Sequence, residues 1–289
     1  MGDGARFLDT PLPSPITEFV CLVTSNANGA QNYASGTAAI VGPNLAFCAR
    51  HVLDEHWQLH EGRRISAGNN PGQFSFVLVQ LVENRLNLWT ATEVWTSGAT
   101  DIAAFYITPA SDNARGYTFR RPVLELMPPL VGERIRAFGY HSNEVSLENG
   151  EIVLRQAAST ALGTVLEVHD EYRDRSRMPF PCFRTNARFD GGMSGGPVFN
   201  EAGHLCGLIC SSLPASSPGE EHASYAASLW PAMAIVVRLD RPGYPPGTRY
   251  PLLELACDGT LGARNADRIT LGEWSGTDTP RISIRDRLR

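Results

Sequence analysis

The sequence predicts an all-β fold, a sandwich or barrel, and three observations predict it. Short apolar runs rich in Val, Ile, Phe and Leu recur at close spacing, Gly, Pro and Asn punctuate them, and strand and helix patterns do not alternate. With 289 residues, 43% hydrophobic and 19% charged, the chain is large enough to bury one large core or two modest ones.

In chain order, the proline-rich leader 1–17 precedes the runs "TEFVCLVTS", "SGTAAIVGPNLAFCARHVL", "FSFVLVQLVE", "TEVWTS" and "DIAAFYI". Gly42-Pro43-Asn44 joins two of these strands by a tight turn, since Gly and Asn tolerate the backbone such turns require. A polar, proline-rich seam near 108–133 then separates two groups of strands, with residues 111–130 as the linker proper. The second group, within 131–235, holds "ERIRAFGY", "EIVLRQAAS", "GTVLEV", "GGPVFN" and "GHLCGLICSS". The run "SYAASLWPAMAIVVRL" reads as a closing helix or a last strand, with Pro231 set against an uninterrupted helix. Residues 236–289 form a C-terminal extension to which the sequence assigns no role.

Charge and composition exclude several classes of function. The formal net charge is −5, and all 25 basic residues are arginines, so nothing resembles a nucleic-acid footprint. Arg173, Arg175 and Arg177 cluster, but Asp170, Glu171 and Asp174 neutralise them, which reads as a solvated loop. No secretory signal, lipidation motif or membrane-spanning run is found, so a cytoplasmic protein without a membrane partner is expected. That address predicts free thiols for the six cysteines. Strand alternation would put Cys206 and Cys210 on one face as small core residues rather than metal ligands. His56 and His60 lie four apart, but the glutamate of a metalloprotease helix is missing and no third ligand is near. A polar surface turn is expected there, and no metal or cofactor. His204 falls in a hairpin turn, while His141, His169 and His222 have no partner identifiable from sequence.

The segment "FDGGMSGGPVF" carries the chemistry. Gly192-Met193-Ser194-Gly195-Gly196 fits the pattern G-x-S-x-G, which also describes an ordinary glycine-rich turn. An α/β-hydrolase would need an acid and then a histidine after Ser194. Only His204 and His222 follow, with only Glu201, Glu220 and Glu221 as acids, all too near in sequence. The order acid, histidine, serine would rest on Asp3, Asp9 or Glu18 in the leader, and its βα pattern is missing. The order His, Asp, Ser can be filled. His51 ends the strand pair around the Gly42 turn, and Asp101 stands immediately before the strand "IAAFYI". Serine needs an imidazole to take its proton, and the imidazole needs a carboxylate to set its tautomer. The Gly192 and Ser194 amides could then point at one developing oxyanion, with Gly192 free of a Cβ penalty.

The set "GTAAIV", "LAFCARHVL", "TDIAAF", "GERIRAFGY" and "GGMSGGPVFNEAGHLCGLICSS" resembles the trypsin-like, chymotrypsin-fold serine peptidases over roughly residues 18–235. Within that family it is nearer to bacterial HtrA-type protease domains than to digestive trypsins. The resemblance implies two antiparallel six-stranded β-barrels, 18–110 and 131–235, with a cleft between them. It also implies His51 as general base, Asp101 as orienting acid, Ser194 as nucleophile, and the Gly192 and Ser194 amides as oxyanion hole.

Met193 stands where digestive relatives have an acid directly before the nucleophile, and Val52 follows His51 where a half-cystine is usual, so zymogen activation is not expected. From the length after residue 235, a PDZ-like domain is not expected there. By the same resemblance Arg188, Ser211 and Ser212 are the substrate-pocket candidates, and Arg188 argues against a preference for basic side chains. The expected function is a serine endopeptidase acting on protein or peptide substrates. An inactive scaffold on the same fold, and a protease switched on in a stress or defence pathway by a partner bound at 236–289, are the alternatives.

Overall fold

The computed structural model describes residues 5–27, 30–59, 74–148, 151–213, 223–239, 245–274 and 279–285. His60 and His222 lie outside the described residues. Six strands, β2 (Val20–Ala27), β3 (Ala30–Gly42), β4 (Leu45–Ala49), β5 (Phe74–Val82), β6 (Arg85–Thr96) and β7 (Ile102–Pro109), close into a barrel. Its order is β2-β3-β4-β7-β6-β5, and β2 pairs with β5 from Cys21↔Gln80 to Ala27↔Phe74 to complete the ring. Asn44 turns the β3–β4 hairpin at φ 58° and donates its amide to Ile107 O at 2.8 Å. Inside, apolar residues such as Val23, Ile40, Leu78 and Phe105 alternate inward. Gln80 is also fully buried, yet satisfied. Its Nε2 donates to Glu18 O at 2.6 Å, and its Oε1 accepts from Asn87 Nδ2 and Trp89 Nε1 at 3.2 and 3.0 Å.

The second barrel consists of β9 (Arg134–Glu148), β10 (Glu151–His169), β11 (Cys182–Thr185), β12 (Pro197–Phe199), β13 (Leu205–Leu213) and β14 (Ala223–Ser228). The ring runs β12-β9-β10-β11-β14-β13, and β12 pairs with β13 to close it. The architecture is therefore two six-stranded antiparallel barrels of the chymotrypsin-like fold. The runs "EIVLRQAAS" and "GTVLEV" prove to be one 19-residue strand, irregular at Arg155/Ala157 and Val165/Glu167.

Further strands border this ring. From the leader, β1 (Arg6–Asp9) pairs with β10, so the leader is not merely a proline-rich lead-in. From the linker, β8 (Leu124–Glu125) lies parallel to β13, and β17 (Ala263–Arg264) lies parallel to β8. The segment around Pro231 is neither one helix nor one strand. It follows β14 as a 3-10 turn, Trp230–Ala234, and then β15 (Val236–Arg238).

The Cys206–Cys210 expectation is half corrected. Both thiols are buried, but Val198 pairs with Gly207 and Phe199 with Leu205, so Cys206 is an extra, bulged residue. A bulge shifts the alternation by one. Cys206 consequently joins the interior of the second barrel, whereas Cys210 joins the core between the barrels. The polar surface turn expected around His56 and His60 is also corrected as far as the described residues reach: Arg50–Leu59 form helix α1, which includes His56.

The inter-barrel core explains where the C-terminal extension goes. Val41, Phe47 and Ile102 of the first barrel meet Leu208 and Ala227 of the second, together with Val237, Leu252, Leu255 and Leu261 of the extension. The extension contributes β15, β16 (Arg249–Pro251), helix α2 (Leu252–Cys257), β17, β18 (Ile269–Leu271) and β19 (Ile282–Ile284). Leu261 packs so closely on Gly42 that a Cβ there would stand 2.7 Å from its Cδ2. Among the described residues no helix is long and apolar enough to cross a membrane.

Candidate active site

Strand register brings the first two residues together. Ala49 at the end of β4 pairs with Ile102 at the start of β7, so the next residue outward on each strand, Arg50 and Asp101, must also meet. They do, with the Arg50 amide donating to Asp101 O at 2.7 Å. There the chain turns from β4 into α1, which lifts His51 out of the sheet above the Asp101 side chain.

Asp101 holds His51 twice. Its Oδ1 accepts the His51 backbone N–H at 3.0 Å, and its Oδ2 lies 2.7 Å from His51 Nδ1. A carboxylate only accepts, so Nδ1 carries the imidazole proton and Nε2 presents its lone pair outward. Ser194 Oγ lies 2.9 Å from that Nε2. The Asp101 side chain is 10% exposed and that of His51 33%, so the acid is shielded while the base reaches the cleft.

Ser194 sits in a loop from the second barrel, between β11 and β12. Gly192 takes φ 91° and Gly195 φ 83°, the left-handed region that disfavours any side chain. At Gly195 a Cβ would also fall 2.1 Å from Thr37 O and 2.7 Å from Ala49 N. The loop is fastened by backbone bonds from Met193 N to Asp190 O at 3.1 Å, Gly196 N to Met193 O at 2.8 Å and Gly195 N to Ile209 O at 2.8 Å. Met193 itself is fully buried among Phe189, Ile135 and Val198, with its Cβ over Gly139. An apolar plug thus stands at the position before the serine.

Among the described residues, neither the Gly192 nor the Ser194 amide has an acceptor. Two donors on one glycine-rich loop beside a serine hydroxyl can receive one anionic oxygen. Burial, reinforced by the Asp101 charge, pushes the nearby thiols of Cys48 and Cys210 far above the usual range, so neither competes as a nucleophile.

The pocket candidates separate. Ser211 and Ser212 are half-buried on β13, which carries Ile209, the residue bonded to Gly195 and Gly196. Arg188 is exposed and forked onto Asp190, Nε to Oδ1 at 2.7 Å and NH2 to Oδ2 at 2.9 Å, while its face covers the Phe7 ring at 4.8 Å. Its charge is already neutralised by Asp190. Elsewhere, His141 bonds to Ser159 Oγ at 2.7 Å, and His204 lies in the β12–β13 turn, where its amide donates to Asn200 Oδ1 at 2.9 Å. Asp174 organises the arginine-rich loop by accepting from Arg177 N, Ser176 N and Ser176 Oγ, which draws its carboxyl down to about 2. The residue that sequence reasoning missed is Thr37. It is fully buried on β3 and bonded to the Ser194 loop, and within "SGTAAIV" nothing distinguishes it from an ordinary strand threonine.

Two antiparallel barrels that meet at a Ser-His-Asp constellation define the class of the trypsin-like peptidases. Residues 36–208, more than half of the chain, match the family described as the trypsin-like peptidase domain, and the protein belongs to that family. Comparison with curated protein sequences finds no significant match. Among solved structures, the chain is similar to the MamO protease domain from Magnetospirillum magneticum in its apo form. The identity is 17% over 74% of this chain and 93% of that one, with a TM-score of 0.47. It is also similar to the Rv3671c protease from M. tuberculosis in its active form, at 15% identity over 74% of this chain and 77% of that one, with a TM-score of 0.46.

Proposed function

We propose that the protein is a serine endopeptidase that cleaves protein or peptide substrates through an acyl-enzyme. Ser194 Oγ attacks the scissile carbonyl carbon as His51 Nε2 takes its proton. The carbonyl oxygen becomes an oxyanion held by the Gly192 and Ser194 amides. The C–N bond then breaks, and His51 returns the proton to the leaving amine. Water, deprotonated by the same imidazole, attacks the ester carbonyl, and as the acyl C–O bond breaks the imidazolium returns that proton to Ser194 Oγ. Throughout, Asp101 keeps the proton on Nδ1 and stabilises the imidazolium.

The observation that carries this reading is the His51 imidazole bridging Asp101 and Ser194 at 2.7 and 2.9 Å, beside two amides that have no acceptor among the described residues. Ser211 and Ser212 are the pocket residues it retains; Arg188, engaged by Asp190, is not one. The test is labelling with an alkyl fluorophosphonate. One adduct on Ser194, lost in Ser194→Ala, is expected, and full labelling of that variant would remove Ser194 from the mechanism. Cleavage of a proteome-derived peptide library then reads the side-chain preference. A folded protein that neither labels nor cleaves would be a scaffold on a peptidase fold.

A further inference from the structure

The two amides of the nucleophile loop can act only while that loop keeps its shape, and one buried side chain from the opposite barrel touches it at the decisive place. Thr37 lies on β3 and is fully buried. Its backbone N–H donates to Ser194 O at 2.8 Å. Its hydroxyl donates to Gly192 O at 3.2 Å and accepts the Tyr140 N–H from β9 at 3.0 Å. One threonine of the first barrel thus binds both residues whose amides are proposed to hold the oxyanion, and anchors them to a strand of the second.

The hydroxyl cannot turn freely. The Tyr140 N–H can only donate, so it occupies a lone pair, and the hydroxyl proton is directed to the carbonyl of Gly192. That carbonyl belongs to the residue whose own N–H is one of the two oxyanion donors. Gly192 at φ 91° has no side chain to hold it, so its orientation depends on such outside contacts. With its carbonyl tied to Thr37 and the next amide, Met193 N, tied to Asp190 O, the chain after Gly192 is fixed on both sides.

We propose that Thr37 is a positioning residue for catalysis, whose hydroxyl holds Gly192 with its N–H directed at the oxyanion. This rests on the serine-peptidase reading above. The substitution that isolates it is Thr37→Val, which keeps shape and backbone N–H and removes only the hydroxyl. Losing an oxyanion donor outright costs about 10²- to 10³-fold in rate. A donor left in place but unanchored loses less, so kcat should fall about tenfold, with KM little changed. Thr37→Ser restores the hydroxyl and should recover most of kcat.

The probes are p-nitrophenyl ester turnover and the second-order rate of fluorophosphonate labelling, each corrected for the folded fraction by circular dichroism. A purely structural role would lower stability but leave kcat per folded molecule unchanged, and that result in Thr37→Val overturns the proposal. If the valine variant does not fold, Thr37→Ala serves, with the same outcomes. A wild-type protein that neither turns over ester nor labels overturns the serine-peptidase reading and this one with it. A reactive wild type beside an equally reactive Thr37→Val overturns this one alone.

Discussion

Replacing Asp101 by Asn tests the proposed mechanism at its least accessible point. The side chain keeps its size, but the site requires two acceptors: Oδ1 for the His51 N–H at 3.0 Å and Oδ2 for Nδ1 at 2.7 Å. An amide offers one acceptor and one donor. If its oxygen serves the backbone N–H, its NH2 faces Nδ1, which must then accept, and the proton moves to Nε2 opposite Ser194. The imidazole can no longer take the serine proton. If the amide turns over, its NH2 opposes the His51 N–H and a buried hydrogen bond is lost, at about 1–3 kcal/mol. The first arrangement avoids that loss, so the wrong tautomer should prevail. Its expected cost is on the order of 10⁴-fold in kcat, equivalent to about 5.5 kcal/mol of transition-state stabilisation. The assay is p-nitrophenyl ester turnover with parallel urea unfolding. A variant with more than a tenth of wild-type kcat would refute the claim that Asp101 sets the tautomer.

The remaining predictions concern the frame. Gly195→Ala puts a methyl group against Thr37 O and Ala49 N at φ 83°, and should destabilise by about 2–5 kcal/mol in urea; a loss under 1 kcal/mol would contradict the stated contacts. Leu261→Ala, at a fully buried site of the extension, should cost about 2–5 kcal/mol, whereas Leu130→Ala, at a site 67% exposed, should stay within about 0.5. Equal effects would mean that the extension is not part of the core. Native alkylation at neutral pH should modify Cys257 alone, and all six cysteines after denaturation, which mass spectrometry counts directly. Burial raises the folded thiols, Cys182 to about 11, above an unfolded value of ~8.5. Their contribution to stability is therefore complete below about pH 8.5 and is lost as pH rises towards the folded values, at up to about 1.4 kcal/mol per pH unit per buried thiol. Urea midpoints that stay level between pH 8 and 10.5 would refute this.

The meeting of His51 and Asp101 was legible because sequence order and strand register impose the same constraint. A histidine just past one apolar strand and an aspartate just before another become neighbours as soon as those strands pair antiparallel, as Ala49↔Ile102 does. The glycines of 191–196 signalled a bend because only glycine takes φ near +90° without penalty. What sequence did not reveal depends on long-range contact. The bulge at Cys206 leaves no mark in "GHLCGLICSS", since a period of two looks unbroken until a partner strand counts one residue too many. The strand Arg6–Asp9 owes its conformation to β10, and a four-residue run beside prolines carries no periodicity of its own.

The extension and Thr37 were missed for one shared reason, and it bears on function. His51 and Asp101 belong to the first barrel and Ser194 to the second, so the 2.9 Å His51–Ser194 contact is itself a measure of how the barrels are seated. Whatever fixes that seating fixes the geometry on which the proposed catalysis depends. Thr37 does so at the cleft, through Gly192, Ser194 and Tyr140, and the extension does so behind it, where Leu252, Leu255 and Leu261 complete the apolar core between the barrels. Neither carries a chemical group that sequence inspection would single out, because a seating device needs only shape and a few hydrogen bonds. It follows that loosening the rear core should reach the active site as a change in kcat before the protein unfolds. In Leu261→Ala, the ester kcat per folded molecule should fall while fluorophosphonate still labels only Ser194. An unchanged kcat in a destabilised Leu261→Ala protein would separate the seating of the barrels from the geometry of the triad.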